Sequence, residues 1–250
     1  HLTVGSDVNP LHTDNFEEVS FGPILYGAKK LGMHIHTRYE VSNNAGQDIC
    51  DIVNNEGFDF LLVGSGISMS DSPDDIAATR YRTSFYNRYF KRFKAPESWF
   101  YPGALLKDKT KMFIARSNCA VGVFINRNFV KASNVLVIIS SEEDLFLLDY
   151  TRTLLKTTHG SVAIVNKAST TTPGYDKIIE AIEEFTATVP QANLLPEKDL
   201  TPGLFNGYNF MLISYDTWND VSEHRKEALQ RMPSTLILSK NHVGTRNMGV

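Results

Sequence analysis

The chain has 250 residues and a formal net charge of −3, with 42% apolar and 21% charged residues. This is an ordinary globular balance, enough for one large domain or two of about 125 residues each, and the slight acidity excludes a global field that would draw the chain to nucleic acid. No apolar run approaches the roughly 20 residues of a membrane-spanning helix, and two distant cysteines, Cys50 and Cys119, provide neither a disulfide framework nor a CxxC knuckle.

A reducing compartment is therefore the default, no signal peptide is visible, and a soluble, intracellular-type polypeptide is expected. The start at "HLTVGSD", without a Met, suggests a processed or cut-out segment.

In chain order, Leu2 to Gly5 reads as a short strand. Phe16, Val19, Ile24, Leu25, Ala28 and Leu31 have helical spacing, and Pro23 among them predicts a kink or a late start. "MHIHTRYEV", Met33 to Val41, alternates as a strand does. Asn43 or Asn44 can cap the next helix, whose buried stripe is Ile49, Ile52 and Val53 and whose end is Gly57. The apolar run Phe60 to Val63 predicts a strand covered on both faces of a parallel sheet. Residues 67–103 break this rhythm. A helix from about Ala104 to Arg116, a buried strand at Cys119 to Ile125 and a link at Phe129 to Asn134 follow.

The second half repeats the scheme. "NVLVIIS" is a strand, Glu143 to Lys156 a helix, "SVAIVN" a strand, and Asp176 to Val189 a helix with Ile178, Ile179, Ile182, Phe185 and Val189 on one face. "ANLLPEKDLTPGLFNG" is poorly defined. The strand "YNFMLIS", a charged helix from Val221 to Met232 and the strand "STLILS" complete the chain. Alternating strands and helices with short links imply a parallel α/β fold with right-handed crossovers. One phrase occurs twice, as "GFDFLLVGSG" from Gly57 and as "GYNFMLISYD" from Gly207. Copied strands imply copied domains.

These residues resemble a family. "DICDIVNNEGFDFLLVGSG" looks like the third helix and fourth strand of universal stress protein domains. "KTKMFIARSNCAVGVFI" is similar to that family's last helix and fifth strand, with Cys119-Ala120 where Cys-Pro is common. "NVLVIISSEEDLFLLDYTRTLLKTTHGSVAIVN" resembles the first strand, helix and second strand of another copy. Two fused copies, the second degenerate, look like the cytoplasmic tail of bacterial monovalent cation:proton antiporters of the Na⁺/H⁺ or K⁺/H⁺ type, and "FEEVSFGPILYGAKKLGMHIHTRYEVSNNAGQDI" is similar to the antiporter-tail version. The resemblance implies two Rossmann-like, adenine nucleotide alpha hydrolase-like parallel-sheet units, 1–132 and 133–250, with an insertion at about 71–103.

The family's sheet order is 3-2-1-4-5. With "GMHIHTRYEV" as strand 3, "HLTVGSD" becomes strand 2, and strand 1 lies upstream of His1 unless "HLTVGSD" itself takes the central place. The first unit is thus expected to lack or rearrange its first strand. The two halves are expected to pack as a pseudo-dimer through Ala120 to Ile125 and Thr235 to Ser239.

ATP-binding members of the family use an Asp after strand 1 and a loop G-x-x-G-x₉-G-[ST] after strand 4, whose N–H groups cradle phosphates. In the first half Gly64, Ser65 and Gly66 remain near that pattern. The G-[ST] pair falls near Lys107-Asp108, putting a side chain and a negative charge at the phosphate position. Gly64, Ser65, Gly66, Asp108 and Thr110 are the candidate nucleotide- or anion-binding residues. Gly64 and Gly66 are read more readily as a tight strand-to-loop turn that needs positive φ. In the second half the Asp position is Ser140, and "SYDTWND" after strand 4 has no glycine.

Other chemistry is thin. His34 and His36 form an H-x-H with no third ligand in sight. Ser65 lacks the G-x-S-x-G elbow. "SEED", Ser141 to Asp144, reads as an acidic helix start. No nucleophile, base and orienting group belong together.

The stretch 71–103 opens on Asp71, Asp74 and Asp75, then interleaves Arg80, Arg82, Arg88, Lys91, Arg92 and Lys94 with Tyr81, Phe85, Tyr86, Tyr89, Phe90 and Phe93. Phe85, Tyr89 and Phe93 align on a helix. Either those aromatics pack on the sheet, with the Tyr89 hydroxyl needing a partner, or Arg80, Arg82, Phe85, Arg88, Tyr89, Arg92 and Phe93 form a docking surface for a membrane domain, a second protomer or an anionic leaflet. Single-stranded nucleic acid is a weaker fit because the rest of the chain is acidic.

Taken together, these residues lead to the expectation of a non-enzymatic regulatory and assembly domain on the cytoplasmic side of the inner membrane. It would be part of an integral membrane antiporter and homodimeric, without nucleic acid, metal or an obligatory cofactor, and with an adenine nucleotide as the candidate ligand. The alternative is a stand-alone tandem universal stress protein binding ATP or AMP.

Overall fold

A computed structural model of the protein describes residues 2–4, 13–38, 40–42, 44–64, 111–196, 200–224 and 231–240. The chain divides into two compact units, His1–Gly57 and Phe58–Val250.

In the first unit, β1 (Leu2–Val4) pairs in parallel with β2 (Glu40–Ser42), and α1 (Thr13–Lys30) and α2 (Ala45–Glu56) follow the two strands. α1 spans the position of Pro23, so the expected late start does not occur. The expected strand from Met33 shrinks to the three residues of β2, and residues 33–38 carry no regular structure. Met33 and Ile35 are exposed: alternation makes a strand only where a partner takes up its backbone bonds and a core its apolar side. Of the predicted stripe of α2, Val53 is buried and Ile49 and Ile52 are half-buried, while Cys50, outside that stripe, is buried; the helix ends as expected on Gly57 in the left-handed region at φ 70°, its N–H bonding to Val53 O.

The second unit is built on a seven-stranded sheet. Its strands are β3 (Phe60–Gly64), β4 (Ala120–Ile125), β5 (Asn134–Ile139), β6 (Ser161–Asn166), β7 (Ala192–Leu195), β8 (Phe210–Ser214) and β9 (Ser234–Ser239). Their order is β3-β4-β9-β8-β5-β6-β7, and all neighbours are parallel except β4 and β9. Among the described residues, the helices between β5 and β9 are α3 (Phe146–Thr158), entered by a 3₁₀ turn at Glu142–Leu145, α4 (Tyr175–Thr188), α5 (Pro202–Phe205) and α6 (Tyr215–His224). Helical residues 111–116 precede β4.

The core follows from the apolar runs. Val135, Val137 and Ile139 of β5, Ile164 of β6 and Phe210 and Leu212 of β8 meet Leu147 and Leu155 of α3 and Ile178, Ile182 and Phe185 of α4. At about 25 cal/mol per Å² of apolar area, burial on this scale is the main favourable term in folding.

Three expectations need correction. The charged helix begins at Tyr215, directly after β8, and not at Val221. The poorly defined stretch contains β7 and α5. Phe60 to Val63 is a strand but is not covered on both faces, since Phe60 and Leu62 are 37% and 58% exposed. Its only strand neighbour among the described residues is β4. The pairing expected of the two late strands does occur. β4 and β9 run antiparallel, with Val121 opposite Ser239 and Ile125 opposite Thr235.

Candidate functional site

In an open parallel sheet, ligands bind beyond the carboxyl ends of the strands where the order reverses. Here that point is β5, flanked by β6 and β8. β5 ends into Ser140, the position read as the lost Asp. The next turn is a capping box, in which the Ser141 side chain accepts the Asp144 N–H and the Asp144 side chain accepts the Ser141 N–H.

Asp144 is buried, at 1% exposure. Its Oδ2 accepts from Ser140 N–H at 2.7 Å, the Ser140 hydroxyl at 3.0 Å, Ser141 N–H at 3.1 Å and the Thr217 hydroxyl at 2.9 Å. The Ser140 and Thr217 hydroxyls also touch each other. Thr217 is held in turn by its N–H, which donates to Ser214 Oγ at 3.2 Å, the geometry of a helix cap at the end of β8. The carboxylate thus ties the end of β5 to the start of α6. Charge-assisted bonds of this kind are the strong ones.

Around it, Lys167 extends from the end of β6 to Asp220 on α6, with Nζ 3.9 Å from Oδ2, and is only 19% exposed. Because β5 lies between β6 and β8, this pair spans the mouth of the crevice. The Tyr215 hydroxyl and Asn219 Oδ1, one turn apart on α6, are buried without a hydrogen-bond partner among the described residues. On the rim, Lys177 bonds Glu142 at 2.9 Å, and that bond raises the Lys177 pKa above its ordinary value.

The arrangement is an anion cradle holding the protein's own anion. The N–H and hydroxyl donors that would meet a phosphate are already spent on Asp144, and a phosphate brought there would meet a carboxylate. Among the described residues no cluster could hold a metal ion, and His34 and His36 are exposed.

Of the candidate residues in the first half, Gly64 is described. It ends β3, pairs with Phe124 and is exposed. β3 lies four strands from β5, about 19 Å at the usual spacing, so Gly64 takes no part in the Asp144 cradle. Ser65, Gly66, Asp108 and Thr110 lie outside the described residues, as do Arg80, Arg82, Phe85, Arg88, Tyr89, Arg92 and Phe93 of the proposed docking face. The sequence reading missed the cradle. Asp144 was legible as a helix-start acid, but nothing local pairs it with Thr217.

The fold defined by the seven-stranded sheet and its helices is universal-stress-protein-like. The chain is similar to the crystal structure of a universal stress protein from Archaeoglobus fulgidus DSM 4304, with a TM-score of 0.53 at 12% identity over 96% of this chain and 84% of that one. It is also similar to a functionally unknown protein from Pseudomonas aeruginosa PAO1, with a TM-score of 0.51 at 12% identity over 97% and 82%. At such identity the likeness speaks to fold alone. No protein-family model matches the sequence, and neither does any curated protein sequence.

Proposed function

We propose that the chain is a non-catalytic regulatory and assembly domain, built from two universal-stress-like units, 1–132 and 133–250. The observation that carries this reading is the Asp144 cradle, a ligand crevice closed by its own carboxylate. A scaffold of this kind couples polypeptides and does not turn over a nucleotide, and it requires no cofactor.

The proposed partner comes from the sequence resemblance: the membrane-embedded domain of a monovalent cation:proton antiporter, on the cytoplasmic side of the inner membrane, in a homodimer. There the domain biases the transporter by binding one of its states more tightly than the other. An adenine nucleotide remains the candidate ligand for the first half only.

Two measurements test the reading. Titration with ATP, ADP and AMP is expected to leave the melting temperature unchanged at micromolar concentration, any binding in the first half being weaker than that; a shift saturating at micromolar ATP would favour a stand-alone nucleotide-binding stress protein. An antibody to this chain, applied to fractionated source cells, is expected to mark the membrane fraction after a carbonate wash. Recovery wholly in the soluble fraction overturns the antiporter assignment.

A further inference from the structure

The first unit concentrates one sign of charge. From Val19 to Tyr39 the chain holds Lys29, Lys30 and Arg38 and no Asp or Glu, the flanking acids being Glu18 and Glu40. The whole chain carries −3, so this run stands against an acidic remainder. The same stretch leaves Ile24, Leu25, Tyr26, Leu31, Met33 and Ile35 exposed, Leu31 at 75% and Tyr26 at 63%. Single exposed apolar residues need no explanation, but a cluster of them interleaved with cations does.

The end of α1 fixes this corner. Gly32 stands in the left-handed region at φ 65°. The Met33 N–H donates to Ala28 O at 2.9 Å and the Gly32 N–H to Lys29 O at 3.3 Å, the two bonds of a Schellman cap. They satisfy the last carbonyls and turn the chain out of the helix at Leu31. Between Ile24 and Leu31 only Ala28 is buried, so the larger side chains on either side of it stay outside. Past the cap, Met33, His34, Ile35 and His36 are all exposed. Lys30 Nζ lies 4.7 Å from the centroid of the Tyr26 ring, one turn back. Arg38 is spent on Glu56 of α2, whereas Lys29 and Lys30 pair with no acid among the described residues.

Three kinds of partner would use this corner differently. A soluble polyanion would meet the lysines and leave Leu31, Met33 and Ile35 in water. An apolar protein groove would take those three and leave the lysines without counter-charge. An anionic bilayer surface satisfies both: lipid phosphates meet Lys29 and Lys30, the acyl boundary takes the apolar side chains, and Tyr26 sits at the level between them. The acidic remainder of the chain is repelled by the same surface, which orients the contact.

We propose that residues 24–36 form a docking surface for an anionic lipid bilayer, bound peripherally through the capped end of α1. The inference is independent of the antiporter assignment, because it requires no membrane-spanning domain. Carbonate strips a chain held only at the surface, so the two readings fail separately.

The test is flotation of the full chain with vesicles of phosphatidylglycerol mixed with phosphatidylcholine, and of phosphatidylcholine alone, at physiological ionic strength. The expected result is binding at least about tenfold stronger to the anionic vesicles. Lys29→Glu with Lys30→Glu is expected to lose about tenfold or more of it, and Lys29→Arg with Lys30→Arg to keep it. Leu31→Ser with Met33→Ser is expected to weaken binding comparably. All four side chains are exposed, so these variants do not threaten the core. Absence of flotation, equal binding to both vesicles, or binding indifferent to the lysine and apolar variants overturns the proposal. So does binding to polyglutamate or single-stranded DNA as tight as to the anionic vesicles, sensitive to the lysine variants and not to the apolar ones.

Discussion

The Thr217 hydroxyl donates to Asp144 Oδ2 at 2.9 Å across 73 positions of sequence, joining the turn after β5 to the first turn of α6. This bond converts a crevice usually open in parallel sheets into a closed polar joint.

Breaking the joint should be costly in proportion to what is left unpaired. Asp144→Ala strands two backbone N–H groups and two hydroxyls, and is expected to lose about 3 kcal/mol or more of unfolding free energy. Thr217→Val removes one donor to the carboxylate and is expected to lose about 1–2 kcal/mol. Urea denaturation of each variant measures both. A loss below about 0.5 kcal/mol for Asp144→Ala would show that the cradle contributes little to stability.

The repeated strands should respond unequally to the same change. Leu212→Ala empties a site that is 2% exposed and is expected to cost about 2–5 kcal/mol, while Leu62→Ala, at 58% exposure, should cost less than about 1 kcal/mol. Equal costs would mean that β3 is covered in solution.

Two glycines make a second contrast. A Cβ on Gly122 would lie 2.6 Å from Phe60 Cζ, the far end of a half-exposed ring that can swing away. A Cβ on Gly160 would lie 2.7 Å from Ser133 O and 2.8 Å from Ala132 O, which are main-chain atoms fixed beside the β5–β6 pair. Gly160→Ala is expected to cost about 1–3 kcal/mol and Gly122→Ala less. In Phe60→Ala the Gly122→Ala penalty should shrink to what the Leu236 and Leu62 methyls, 3.2 and 3.3 Å from that Cβ, impose, a coupling readable in a double-mutant cycle.

Alkaline pH should weaken the fold through Tyr150. Burial, and then the electrostatic influence of Cys119, raise its pKa above the ordinary 10.0. The folded chain therefore holds the phenol proton more tightly than the unfolded chain. The associated stability is complete below pH 10.0 and is lost as pH rises through the folded-state value. Denaturation curves taken from neutral to alkaline pH should show this decline, and Tyr150→Phe should flatten that component.

Much of the second unit was legible because each buried parallel strand is a continuous apolar run, as in "NVLVII" and "SVAIVN". β7 was not. "ANLL" is a four-residue edge strand with Asn193 and Leu194 exposed, so its sequence carries little of the core's pattern. The start of α6 was hidden because it follows β8 without a loop, and "SYDTWND" reads as a turn until Ser214 is seen to cap Thr217. β2 was overextended from "MHIHTRYEV", where alternation lacked a neighbouring strand. Asp144 was placed on the right helix start but given a local role, because its decisive partner is remote in sequence. The repeat beginning at Gly57 and Gly207 identified equivalent strands, yet sequence alone could not say that one would be an edge.

The antiparallel seam between β4 and β9 gives the sheet a reversal of polarity. β3 and β4 point their carboxyl ends toward one rim, whereas β5, β6, β7, β8 and β9 point theirs toward the opposite rim. Gly64 and Asp144 therefore belong to opposing margins of one slab, and no single small molecule can bridge them.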